Sequence, residues 1–185
     1  MQNEAGLGSM DLKRINYFKA GFTVLMALYG LSCAWSPAES GMLDRVNLVI
    51  HEAGHLFFSW FGEFIGVLGG TVGQLFVPVA FTIYFSMRRE FFSSSVTLFW
   101  TGENFFGISV YVKDAQAMEL PLLSIGGGDS IHDWNYILSR IGLLRWDHAI
   151  GNFFYLSGIV IITAAVLLGF YRSVERDSAG EGADT

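Results

Sequence analysis

The chain has a single cysteine, Cys33. That excludes an intrachain disulfide and a cysteine-built zinc site, so any metal must be held by His, Asp or Glu. Histidine is scarce as well: four residues fall short of the histidine-rich clusters of membrane hydroxylases. Charged residues make up only 15% of the 185, and the net charge of -6 comes partly from acids near the two ends. With no basic patch or stripe, nucleic acid is not an expected partner. Internal repeats and low-complexity tracts are also missing.

Apolar residues, in contrast, are plentiful. They reach 52% of the chain with a mean hydropathy of +0.43, more than a soluble core of this size requires. The composition predicts an all-α, polytopic integral membrane helix bundle. It forms one domain over residues 1–185, with 1–14 and 172–185 as disordered tails. About five transmembrane segments are expected, over residues 15–35, 46–68, 71–87, 91–112 and 149–171, each near the ~20 residues a bilayer span needs. Lys13, Arg14 and Lys19 before the first apolar run resemble the start of a signal peptide, but no small-x-small cleavage site follows. A retained first span, ended by Ser36-Pro37, is the expectation. Gly66, Gly69, Gly70 and Gly73 lie between the second and third segments. They allow either close helix packing or a Gly-broken, re-entrant turn with Gln74 and Pro78 beside it, where freed backbone groups would pair with an extended substrate. After Lys113-Asp114 the chain turns mixed, with the run Gly126-Gly127-Gly128 and a short helix expected over 131–144. Lys and Arg are split almost evenly between the two sides, which leans only slightly toward a cytoplasmic N-terminus.

Chemistry concentrates in His51-Glu52-Ala53-Gly54-His55. Residues four apart share one helix face, so both imidazoles can reach one ion, and Glu52 stands beside them as a general base. A helix with two hydrogen-bonded histidines is the bland alternative. The cost of ionisable groups in apolar spans favours metal. A catalytic zinc takes three protein ligands and a water. The third is sought in His132 or Asp133, with the other orienting the ligand. Ser130-x-x-Asp133 also reads as a capping box that merely starts the short helix. Glu103 and Asn104 form a second intramembrane polar pair. With Gln74, they are expected to orient substrate or support the ligands, Glu103 being the next candidate for the third ligand. His148, beside Trp146, fits a membrane-interface position.

With an HExxH helix inside a span and a downstream aspartate, the chain resembles the site-2 protease group of intramembrane zinc metallopeptidases, as a small bacterial-type relative. The likeness is specific at residues 51–55, looser over Gly69-Gly70-Thr71-Val72-Gly73-Gln74, and covers about residues 46–135. It implies Zn(2+) held by His51, His55 and Asp133, with Glu52 as base. It also implies a transmembrane protein or peptide as substrate, and a place in the lipid bilayer of the bacterial cytoplasmic (inner) membrane. In this chain the aspartate sits in His132-Asp133-Trp134-Asn135 instead of the family's usual Leu-Asp-Gly setting. Two other classes compete with this one. A non-proteolytic membrane metalloenzyme is suggested by Glu52-x-x-His55, half of a di-iron site, although Phe106 stands where a second Glu-x-x-His from Glu103 needs histidine. An inactive, protease-like binding module for membrane proteins would not require Glu52.

Overall fold

Asn16 accepts a hydrogen bond from the Lys19 N–H at 3.1 Å, capping the first helix, and the Ser36-Pro37 step ends it. The computed structural model describes residues 13–39, 41–120 and 132–176. It comprises six α-helices: α1 (Tyr17–Trp35), α2 (Asp44–Phe58), α3 (Glu63–Met87), α4 (Phe91–Lys113), α5 (Asp133–Arg140) and α6 (Asp147–Ser173). Two short strands, β1 (Lys13–Ile15) and β2 (Val174–Arg176), pair antiparallel and join the two ends of this chain segment. The expected tails fall mostly on residues 1–12 and 177–185, outside the described residues, as do Ser130 and the triple glycine. Their inner ends are ordered, contrary to expectation. Residues 172–173 complete α6, the strands take up 13–14 and 174–176, and the Asn16 N–H donates to the Ser173 carbonyl at 2.8 Å.

Among the described residues, three segments are long and apolar enough to cross a membrane: α1, α3 and Leu144–Ser173, which contains α6. The two other expected spans fail for different reasons. The segment expected over 46–68 is broken, because α2 stops after 15 residues, about 22 Å at 1.5 Å per residue against a ~30 Å hydrocarbon core. A single 3-10 turn, Ser59–Phe61, follows, and then Gly62 at φ 99°, a conformation that glycine adopts without a steric penalty. The fourth segment has the length but not the apolarity. α4 carries Ser93, Ser94, Ser95, Thr97, Thr101, Glu103 and Asn104, and most of these are buried against neighbouring helices.

The glycines of α3 do not break it. Gly66, Gly69, Gly70 and Gly73 lie within one continuous helix, as does the buried Pro78, so the strand-addition surface expected there is not formed. Their role is close packing: a Cβ on Gly54 of α2 would run into the Gly69 carbonyl, and one on Gly73 would meet Gly54 Cα at 3.0 Å. Small residues thus let α2 and α3 cross at backbone contact. The same device joins α4 to α6, where Gly102 lies against Ile162 and Gly158 against Phe106. Met26, Phe99, Phe106, Ile162 and Ala165 knit α1, α4 and α6 together. A second cluster, Ile108, Val112, Ala115, Trp134, Ile137 and Leu138, seats α5 on the end of α4.

Polarity is distributed inside out. Phe18, Leu31, Trp35, Trp60, Phe76, Phe153 and Val160 are exposed, whereas Asn47, His51, Glu103, Asn104 and Asp133 are buried. An apolar exterior around a polar interior suits a lipid surround, where internal partners must satisfy every polar group.

Candidate metal centre

His51 and His55 are one helical turn apart on α2, and the tight α2–α3 crossing presses that face onto α3. The crossing supplies each ring with a partner from α3. His51 Nδ1 lies 3.0 Å from Gln74 Oε1, and His55 Nδ1 lies 2.9 Å from the Gly66 carbonyl oxygen. Both partners accept, so in each ring Nδ1 carries the proton and donates it. The Nε2 atoms are then left as bare lone pairs. α5 brings the third group: Asp133 Oδ2 lies 2.9 Å from His51 Nε2 and 3.1 Å from His55 Nε2.

Two imidazole nitrogens and a carboxylate oxygen converging on one point need a proton or a metal ion between them. His51, His55 and Asp133 can therefore hold a metal ion, and their ligand atoms all lie within 4.8 Å of one another. Ligands placed ~2.0–2.1 Å from a tetrahedral ion stand roughly 3.3 Å apart. The two separations from Asp133 Oδ2 need to open by only a few tenths of an ångström.

Asp133 is itself firmly placed. It is the first residue of α5, where a negative charge suits the helix dipole. Its backbone N–H donates to the Tyr111 hydroxyl oxygen at 3.1 Å. His132 caps the same helix: Nδ1 accepts from the Asn135 N–H at 3.2 Å, and Nε2 donates to Asp114 Oδ2 at 3.1 Å. Both its nitrogens are engaged away from the three-residue group. The cap expected from Ser130 is thus supplied by His132 in this structure. Burial raises the Asp114 carboxyl, but the Glu119 and Leu120 N–H groups and His132 more than compensate and leave it lowered.

The remaining sequence candidates occupy distinct places. Glu52 is half-buried on α2 beside His51 and makes no hydrogen bond or ion pair among the described residues. Gln74 is the partner of His51. Glu103 is not among the converging ligands. Its Oε2 accepts from Asn47 Nδ2 at 2.8 Å, and Asn47 Oδ1 accepts from the Trp100 indole at 2.7 Å. Asn47 is one turn before His51, so Glu103 steadies through it the helix that carries the two histidines. Asn104 donates to the Trp100 carbonyl within α4, and His148 is exposed at the start of α6.

A cavity of about 180 Å³ opens beside the centre, lined by Asp44, Asn47, His51, Thr71, Gln74 and Tyr111 among others. Several participants had escaped the sequence reading. Asn47 was discoverable, since it lies four residues before His51 on the same face. The Gly66 carbonyl has no side-chain signal, and nothing in the sequence distinguishes Tyr111 from the other tyrosines. Compared with family models, curated proteins and solved structures, the chain has no match.

Proposed function

We propose that the chain is a membrane-embedded, zinc-dependent hydrolase that cuts peptide bonds of membrane proteins, the activity implied by its resemblance to the site-2 protease group. The observation that carries this reading is the convergence of His51 Nε2, His55 Nε2 and Asp133 Oδ2 beside Glu52. Two imidazoles and one carboxylate match the donor set of catalytic zinc sites. Zinc bound there supplies a water acidified to near pKa ~7 and a Lewis acid for the carbonyl.

The protein's own residues do the rest. Gln74 and the Gly66 carbonyl fix the ring orientation and tautomer of the two histidines, and His132 fixes the start of α5 and hence Asp133. Glu52, with no hydrogen-bond or ion-pair partner among the described residues, is free to take a proton from water and return it to the departing nitrogen. The substrate is a transmembrane protein or peptide. Its helix must unwind locally, because intrahelical hydrogen bonds shield the scissile carbonyl. The bilayer concerned is the bacterial inner membrane. The di-iron alternative is less well supported, since the group found among the described residues has a single carboxylate.

The test is metal content and turnover of the purified protein in detergent. One zinc per chain is expected, lost in His51→Ala, His55→Ala and Asp133→Ala. Glu52→Gln retains the metal and loses cleavage of a transmembrane peptide. Two irons per chain, or undiminished cleavage by Glu52→Gln, would overturn the reading.

A further inference from the structure

Tyr111, near the C-terminal end of α4, touches the centre without being one of its ligands. Its hydroxyl oxygen accepts from the Asp133 backbone N–H at 3.1 Å, which anchors the phenol to the residue supplying the third ligand. The ring lies edge-on to His51, 6.3 Å between centroids, and packs against His132 at 4.5 Å. Contacts on both sides hold it in one place. One lone pair of the oxygen is used, but the hydroxyl hydrogen has no acceptor among the described residues.

Tyr111 also lines the 180 Å³ cavity with His51 and Gln74. A second hydroxyl on that wall is in the same condition: Thr71 Oγ1 is buried and has no hydrogen-bond partner among the described residues. Threonine in a helix ordinarily satisfies its hydroxyl with a carbonyl of the preceding turn. Two donors without acceptors on one wall, next to a metal-binding group, define a place for a guest that brings an acceptor oxygen.

We infer that Tyr111 donates its hydroxyl hydrogen bond to the carbonyl oxygen of the scissile peptide bond and stabilises the negative charge that develops there. This rests on the hydrolase reading above. In the reaction, the water oxygen bonds to the carbonyl carbon while its proton passes to Glu52, and the C=O π pair moves onto oxygen. That pair returns as the C–N bond breaks, and the nitrogen takes the proton from Glu52. Tyr111 keeps its own proton throughout. Its contribution is a donor already oriented toward the place where charge appears, so no reorganisation is needed during the step.

The inference is tested by binding, which does not depend on knowing the natural substrate. The detergent-solubilised protein is loaded with cobalt(II) and titrated with acetohydroxamate, which offers oxygen acceptors, and separately with ethanethiol, which binds metal through sulfur alone. The cobalt d–d spectrum reports both. In Tyr111→Phe, cobalt affinity and the ligand-free spectrum are expected to stay as in the wild type. Hydroxamate affinity should fall roughly tenfold or more, the usual effect of losing a hydrogen bond to charged oxygen, while thiol affinity is unchanged. Equal hydroxamate affinity in both proteins overturns the role of Tyr111 and leaves the metal centre intact. A parallel loss of cobalt, hydroxamate and thiol binding shows that Tyr111 only props up Asp133 and overturns it as well. A wild-type protein that takes up no cobalt removes the hydrolase reading and this inference with it.

Discussion

Gly70 offers the sharpest test of the metal centre, because alanine there should strengthen the helix and destroy the site. A Cβ at position 70 would stand 2.5 Å from His55 Nε2 and 2.6 Å from His51 Nε2. These distances lie about 0.8 to 0.9 Å inside ordinary van der Waals contact, taken as ~3.4 Å. In the apoprotein the imidazoles can swing aside, and alanine in a helix interior gains about 1 kcal/mol over glycine. With metal bound they have no such freedom, since zinc tolerates ligand distances only within ~0.2 Å of ideal. Moving both rings by several times that tolerance should cost on the order of 100-fold in zinc affinity, about 2.7 kcal/mol. The measurements are a competition titration of zinc against a chromophoric chelator and thermal unfolding of the apoprotein in detergent. Apoprotein stability should hold or rise while zinc affinity collapses. Gly107→Ala is the control, since a Cβ there meets nothing within 4 Å; it should leave zinc affinity unchanged. If Gly70→Ala bound zinc as tightly as the wild type, the two Nε2 atoms would not be the ligands.

Gln74→Ala removes the acceptor that holds His51 Nδ1 and should weaken zinc binding by roughly 10–100-fold without abolishing it, measured by the same titration; an unchanged affinity would count against Gln74 as the orienting group. Asp114 provides a pH test. Its carboxyl is lowered in the folded protein, so its contribution to stability is fully present above the ordinary carboxylate pKa of ~3.9. It disappears as pH falls through the lower folded value. Thermal unfolding followed from pH 7 down to about pH 3 should show this acid-side loss in the wild type and a smaller one in Asp114→Asn, and identical pH dependence would refute the assignment.

The existence of helices, the approximate extents of α1, α4 and α6, and the pair His51 and His55 were legible in the sequence, whereas the break between α2 and α3 was not. Apolar run length and the i, i+4 spacing are local properties, and helix geometry turns them directly into structure. The number of membrane-crossing segments was not. α4 reads as a span by length, but its seryl, threonyl and Glu103 side chains are tolerable only because other helices cover them. That cover is a tertiary fact. The glycines of α3 were equally ambiguous, since the same residues serve a broken helix or a close crossing. The partner helix decides between the two, here with Gly54 of α2 against the Gly69 carbonyl.

A helical and strongly apolar chain, and Glu52 between two histidines placed on one helix face, were thus determined by the sequence alone, through short-range periodicity and residue chemistry. Only the tertiary structure brings Asp133, and not His132 or Glu103, to His51 and His55. Sequence separation says nothing about which of three polar side chains reaches a given point. The His132 cap, the Tyr111 hydrogen bond and the seat of α5 on α4 settle it by placing one carboxylate oxygen about 3 Å from both imidazoles.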